Sequence, residues 1–292
     1  MKSIFSVLVL TILASLSVIG QAPNEGQSPR GGMSIGPARF ELEMDPGTET
    51  TVVLNLDYRN LDLSARPARI IASLSDWTIT PDGRVEYFPA NSRPDSASPW
   101  LIYSPGDAAV LPGTTHQIRV TVSVPTNATP GDHLTALIIE QRPETLKPQP
   151  NVRQVIVKYR MASVFYIKVK NLTRKGDFGD LLAESTSEGI TVTPTLRNEG
   201  NSMVRPLGSL KVLDETGKVV AEMPELEMLP VLAGSEIRQP IHLAESLPVG
   251  SYTVKYRVDF QDGKAAVDGV TDLLVKPAVR QIAATGTPPK RP

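Results

Sequence analysis

From Met33 almost to Val275 the chain keeps a two-residue alternation of apolar and polar side chains, broken at short intervals by turn residues. Successive side chains of an extended strand point to opposite faces, so this pattern builds half-buried strands and cannot build helices. In His116–Val124, the residues His116, Ile118, Val120, Val122 and Val124 share one face, and Gln117, Arg119, Thr121 and Ser123 the other. Val52, Leu54, Leu56 and Tyr58 line a second such strand, and Pro67 to Trp77 a third, ending at Thr80-Pro81-Asp82-Gly83. Val152 to Lys170 is a long strand or bent pair, with Val155, Val157, Tyr159, Met161, Phe165, Ile167 and Val169 in phase. The second half repeats the pattern in Ile190–Leu196, Leu207–Leu213, Lys218–Met223, Ser235–Leu243, Tyr252–Phe260 and Lys264–Val275. Asp262-Gly263 marks a hairpin.

Strands about 8–12 residues apart with turns between them predict sandwiches. The expected fold is all-β, two immunoglobulin-like β-sandwich domains in tandem, at residues 33–170 and 178–277, with a hinge at Lys175–Phe178. The total of 292 residues fits two domains. Residues 1–20 read as a signal peptide: Lys2 precedes an apolar run from Ile4 to Ile19, with cleavage after Gly20 preferred over Ala22. Residues 21–32 read as a flexible leader and 278–292 as a disordered tail, and no stable membrane span is expected after cleavage. The expected location is periplasmic, secreted or at the cell surface. The chain has no Cys, so its domains rest on hydrophobic cores, and thiol chemistry is excluded. A net charge of −1 argues against nucleic acid as a partner.

Asp132 and His133 are adjacent and could open a catalytic or metal site. Thr129-Pro130-Gly131-Asp132 is turn chemistry, however: Pro130 presets φ and Gly131 tolerates a positive one. Asp132 is therefore expected to close a turn and His133 to start a strand. The apolar run Leu134–Ile139 predicts a strand buried on both faces.

Other chemical patterns fail on context. Gly32-Met33-Ser34-Ile35-Gly36 has the spacing of a nucleophile elbow but lacks the strand before it and the helix after it. His116, His133 and His242 lie on separate strands without ligand spacing. Asp259, Asp262 and Asp268 lack a calcium loop and read as hairpin acids. Asn127-Ala-Thr129 and Asn171-Leu-Thr173 are glycosylation sequons, relevant only in a glycosylating host. No catalytic residue, cofactor or metal is expected, and the protein is not expected to be an enzyme.

The most distinctive stretch is basic. Val152 to Lys175 carries seven Lys or Arg and no acid. Lys158, Arg160, Lys168 and Lys170 share the face opposite the apolar one. One reading is the solvated face of an edge strand, where Lys discourages pairing. The other is a strand that takes up a second chain by β-augmentation.

The first domain resembles the N-terminal domain of PapD-like periplasmic pilus chaperones. The resemblance runs through "SIGPARFELE", "VLPGTTHQIRVTV", "PGDHLTALIIEQRP" and "VRQVIVKYRMASVFYI". It implies a non-enzymatic chaperone or accessory for assembling a pilus or surface fibre, with exported protein subunits as partners. It also implies a loop at Arg142–Asn151 and a donor stretch at Val152–Tyr159, in which Val155 and Val157 are the apolar members. The family anchors a subunit's C-terminal carboxylate with an Arg on the first strand and a Lys on the last. Arg39 matches the first, while Ser163 stands at the position matching the second. The candidate partner-binding residues are thus Arg39, Val155, Val157, Lys158 and Arg160. A second resemblance, through "PDGRVEYFP", "SPWLIYSP", "LRNEGNSMVRPLGSLKVLDETGKVV" and "LPVGSYTVKYRVDFQDG", is to bacterial exported proteins with two Ig-like domains, including the peptidoglycan-binding module of WxL-type surface proteins. It implies the alternative of a cell-envelope module contacting peptidoglycan or another wall polymer.

Overall fold

The computed structural model describes residues 31–60, 64, 66–142, 159–186, 189–243 and 247–276. The expected signal peptide, most of the leader, the C-terminal tail, all but Arg142 of the expected loop, and Val155, Val157 and Lys158 lie outside these residues.

The first sandwich packs two sheets. One has the order β1 (Gly31–Gly36), β3 (Glu49–Asn60), β8 (Thr114–Ser123), β6 (Leu101–Ser104). The other runs β2 (Arg39–Met44), β10 (Arg160–Val169), β9 (Gly131–Gln141), β4 (Ala68–Ile79), β5 (Val85–Pro89), with β7 (Asp107–Val110) also on β4. The chain switches sheets at Pro37, so β1 pairs antiparallel with β3 while β2 pairs parallel with β10. This split first strand is an immunoglobulin-like arrangement. The alternating residues meet between the sheets: Leu54, Leu56, Ile118, Val120 and Val122 face Ile70, Leu137, Ile139, Phe165 and Ile167, all buried.

The second sandwich packs β11 (Gly176–Thr186), β12 (Gly189–Asn198), β15 (Glu236–Arg238) and β16 (Ile241–Leu243) against β14 (Val219–Glu227), β13 (Leu207–Leu213), β17 (Gly250–Asp259) and β18 (Val267–Val275). Val192, Leu196, Val212, Ile237, Val254 and Val258 form its centre.

Several expectations need correction. Gly31 and Gly32, assigned to the leader, begin β1. The expected hinge at Lys175–Phe178 is mostly strand, because β11 starts at Gly176. Ser235–Leu243 is two short strands, since Pro240 cannot donate to a ladder. The basic strand is not an edge over most of its described length: Val164–Val169 of β10 lies between β2 and β9.

Leu134–Ile139 is buried on both faces, and the structure shows why. Leu137 and Ile139 enter the first core, whereas Leu134, Ala136 and Ile138 join a cluster that continues into the second sandwich. Trp77, Ile79 and Tyr166 belong to that same cluster, with Trp77 and Tyr166 edge to face at 5.1 Å. The second domain therefore covers part of the outer face of the first domain's larger sheet. A side chain on Gly83 would come within 2.7 Å of Leu229 across this junction.

Candidate partner-binding cleft

Because side chains alternate, β10 turns Arg160, Ala162, Val164, Tyr166 and Lys168 toward the outer face of the larger sheet. The parallel register places Arg39, Glu41 and Glu43 of β2 beside Val164, Tyr166 and Lys168. Toward its lower end the face is closed by the second domain, and Tyr166 is buried there; that burial pushes its hydroxyl up to about 12. Toward the upper end, Ala162 and Val164 are half-buried between exposed Arg39 and Arg160. β10 also changes partners along its length. Arg160–Ser163 pairs with Glu140–Leu137 of β9, while β2 joins only from Val164 onward. Among the described strands, the other edge of Arg160–Ser163 has no ladder partner.

Ser163 is not on the cleft face. It is fully buried, and its hydroxyl donates to the Pro37 carbonyl at 2.8 Å. The lysine that does reach the cleft is Lys168, five residues on, which sequence matching passed over. Its Nζ lies 2.7 Å from Glu41 Oε2. Glu41 also takes Arg205 of the second domain at 2.5 Å and has Arg39 Nε at 3.1 Å. Burial alone would raise the Glu41 pKa, but the hydrogen bonds and positive charges of Lys168 and Arg205 outweigh it and leave the carboxyl below its ordinary value.

Contrary to expectation, Asp132 does not close a turn. It is a strand residue at the junction of the domains. Its backbone N–H donates to the Asn201 carbonyl (2.8 Å), and its Oδ2 accepts the Met203 N–H (2.7 Å). Its Oδ1 and the nearby Ser202 hydroxyl are both buried without an aligned partner. Burial raises the Asp132 pKa; the Met203 N–H, Ser202, Lys168 and Arg174 only partly offset this. Gly131 has φ +128° and its missing side chain leaves room for Asn201, whose carbonyl would lie 2.7 Å from a Cβ. His133 starts the buried run, packs tilted against Trp100 with ring centroids 4.3 Å apart and donates from Nε2 to the Thr129 carbonyl at 2.9 Å. Both members of the Asp-His pair are thus committed to structure.

The remaining chemical patterns are absorbed in the same way. Ser34 sits inside β1. Asp262 accepts N–H bonds from Gly176 and Lys264, Asp259 accepts one from Gln261, and Asp268 pairs with Arg257. Among the described residues no group of three or more His, Cys, Asp or Glu could hold a metal. No described helix is long and apolar enough to cross a membrane.

The described part of the basic strand is neutralised. Arg160 pairs with Glu140 (2.9 Å), Lys168 with Glu41 and Lys170 with Asp45 (2.6 Å). The basic face, one of the two motives for an anionic wall polymer as partner, is thus charge-paired at these three residues.

The fold and cleft define a class: two immunoglobulin-like sandwiches joined so that the second domain covers part of one sheet of the first. No family model matches the chain, and no curated protein matches it either. Among solved structures, it is similar to a chaperone–tip adhesin complex of CFA/I fimbriae biogenesis, with 10% identity and a TM-score of 0.44 over 85% of this chain and 100% of that one. The CsuC–CsuE chaperone–tip subunit pre-assembly complex of Acinetobacter baumannii is matched at 14% identity and a TM-score of 0.42, over 84% and 100%. A PapD-like domain of human CEP192 is matched at 14% identity and 0.32, over 53% and 97%.

Proposed function

We propose that this is a non-enzymatic exported binding protein, acting in the periplasm or at the cell surface as a chaperone or accessory for assembling a pilus or surface fibre by β-strand pairing. The observation that carries this reading is the edge of β10 at Arg160–Ser163, which has no ladder partner among the described strands, at the open end of the cleft. Free strand edges are templates for another chain, and main-chain hydrogen bonds there give affinity with little demand on sequence. Ala162 and Val164 offer apolar contact beside that edge, and it is flanked by Arg39 and Arg160, each paired with a carboxylate of its own chain yet more than half exposed. In this reading Val155 and Val157, just upstream, extend the pairing stretch, with Lys158 guiding the partner.

The test is co-purification of the tagged protein from the envelope fraction of a producing cell. Exported subunits are expected to travel with it, and replacing both Val155 and Val157 by Asp is expected to release them while the protein still unfolds cooperatively. Recovery of the bare protein, with neighbouring exported proteins unchanged by its deletion, overturns the reading.

A further inference from the structure

Two buried aspartates stand on neighbouring strands of the larger sheet, and their carboxylates are served very differently. Asp76 on β4 is fully buried and receives four aligned donors, the Ser92 and Arg93 N–H groups and the Ser96 and Ser98 hydroxyls. Asp132 on β9 is only 9% exposed, yet among the described residues its carboxylate receives one, the Met203 N–H at 2.7 Å. Its Oδ1 is buried without an aligned partner, and so is the hydroxyl of Ser202, next to Met203 in the second domain. An ionised carboxylate offers about four lone-pair sites, and a buried charge is costly unless it is paired and hydrogen-bonded. The charged groups nearby do not fill the gap. Lys168 stands directly across the β9–β10 ladder, but its ammonium lies 2.7 Å from Glu41, and Arg205 of the second domain is held by Glu41 at 2.5 Å. Arg174, in the segment joining the domains, is exposed and acts on Asp132 by charge alone. Asp95, whose carbonyl accepts the Leu134 N–H, is paired with Arg93 at 3.0 Å. Tyr166 keeps its hydroxyl proton, since burial first, and then the Glu41 and Asp132 charges, push it up to about 12. The same residue ties the domains: the Asp132 N–H donates to the Asn201 carbonyl (2.8 Å), and at the turn between β4 and β5 the Arg238 N–H donates to the Pro81 carbonyl (2.6 Å).

We propose that Asp132 is a proton-operated latch between the two domains: taking up a proton seats the second domain more firmly on the outer face of the larger sheet, and ionisation loosens that seat. A proton on Oδ1 removes the poorly solvated charge and supplies an O–H that Ser202 Oγ can accept, while Oδ2 keeps the Met203 N–H. The direction follows from the carboxyl itself. Burial outweighs the Met203 N–H, Ser202, Lys168 and Arg174, so its pKa lies above the ordinary 3.8 when the domains are closed. The closed junction therefore binds the proton more tightly than an open one. Closure is strongest below 3.8 and weakens as pH rises through the raised value. Because the second domain shuts the lower end of the cleft, the latch sets how firmly that end is held, whatever the cleft binds.

Hydrogen exchange read by NMR on the whole protein tests this, with rates corrected for their intrinsic pH dependence. The Arg238 N–H is the reporter, because it crosses the junction to Pro81 and does not touch Asp132. The Ala72 N–H, which donates to the Gly106 carbonyl inside the first domain (2.8 Å), is the control. A carbon-13 titration of the Asp132 carboxyl fixes its pKa. Protection of Arg238 is expected to rise on acidification in step with that titration, by about tenfold for each unit of pKa above 3.8, with Ala72 unchanged. Asp132→Asn is expected to hold the acid level of protection at every pH. Ser202→Ala removes a group that favours the charge, and is expected to move the transition to higher pH. It carries the test should Asp132→Asn fail to fold. Protection at Arg238 that ignores the titration or falls on acidification, an equal rise at Ala72, the wild-type pH dependence in Asp132→Asn, or a Ser202→Ala midpoint that is unmoved or lower would overturn the proposal.

Discussion

Asp76 is fully buried in β4, and its carboxylate organises a loop that shows no regular strand pattern. Oδ2 accepts the backbone N–H groups of Ser92 (2.8 Å) and Arg93 (3.0 Å), and Oδ1 accepts the hydroxyls of Ser96 (2.7 Å) and Ser98 (2.6 Å). Burial works against its charge, yet the Ser98 and Ser96 hydroxyls and the two backbone donors more than compensate, so its pKa is lowered from 3.8. Asp76→Ala leaves two backbone N–H groups without an acceptor, since neither can rotate to another. At about 1–3 kcal/mol for each orphaned group, the expected loss is about 3–5 kcal/mol. Asp76→Asn is milder. Its amide oxygen can keep the two N–H groups, and its NH2 can donate to hydroxyls that reverse their roles, so the loss is about 1–3 kcal/mol. Thermal unfolding reads both, with Asp76→Ala expected to lower Tm by on the order of 10 °C. The pH dependence follows from a lowered folded pKa. The ionised form contributes its full stability above the unfolded value of 3.8, and that contribution is lost as pH falls through the lower folded value. The gap between wild type and Asp76→Asn should thus be flat through neutral pH and close below 3.8. A loss under about 1 kcal/mol for Asp76→Ala would refute the claim that this carboxylate holds the loop.

Three further outcomes are expected. Gly131→Ala combines a positive φ of +128° with a Cβ 2.7 Å from the Asn201 carbonyl, and should cost roughly 1–3 kcal/mol in denaturant unfolding. Asp132→Asn keeps an acceptor for the Met203 N–H and removes a charge that burial disfavours. It should be at least as stable as wild type at neutral pH. Its advantage should shrink as pH falls from the raised folded pKa toward the unfolded value of 3.8, where wild type regains stability by protonation. Trp77→Ala empties the junction beside Tyr166 and removes a bond to the Thr135 carbonyl, and should cost about 3–5 kcal/mol by urea titration.

The period-two pattern was sufficient to place most strands and both cores, because alternation is a local consequence of the pleat and needs no knowledge of distant residues. It read Leu54, Ile118, Val122, Phe165 and Ile167 as inward, and all are buried. It missed β11, which begins where a hinge was expected, since Gly176-Asp177 offers no apolar signal to mark a strand start. Local reading failed wherever a partner lies far along the chain. Turn chemistry placed a turn at Thr129–Asp132, but β9 already begins at Gly131 and Asp132 answers to Met203, 71 residues away. The unbroken apolar run of β9 announced burial on both faces without saying that the second domain supplies the other cover. A stretch rich in Lys and Arg looked like a free basic surface until register brought Glu140 opposite Arg160 and set Glu41 and Asp45 within reach of Lys168 and Lys170. Matching by sequence put Ser163 at the anchor position, yet strand parity turns Ser163 into the core and Lys168 into the cleft. Which side of a strand a residue takes is written in its neighbours; what waits on that side is decided only when the sheets and the two domains close on one another.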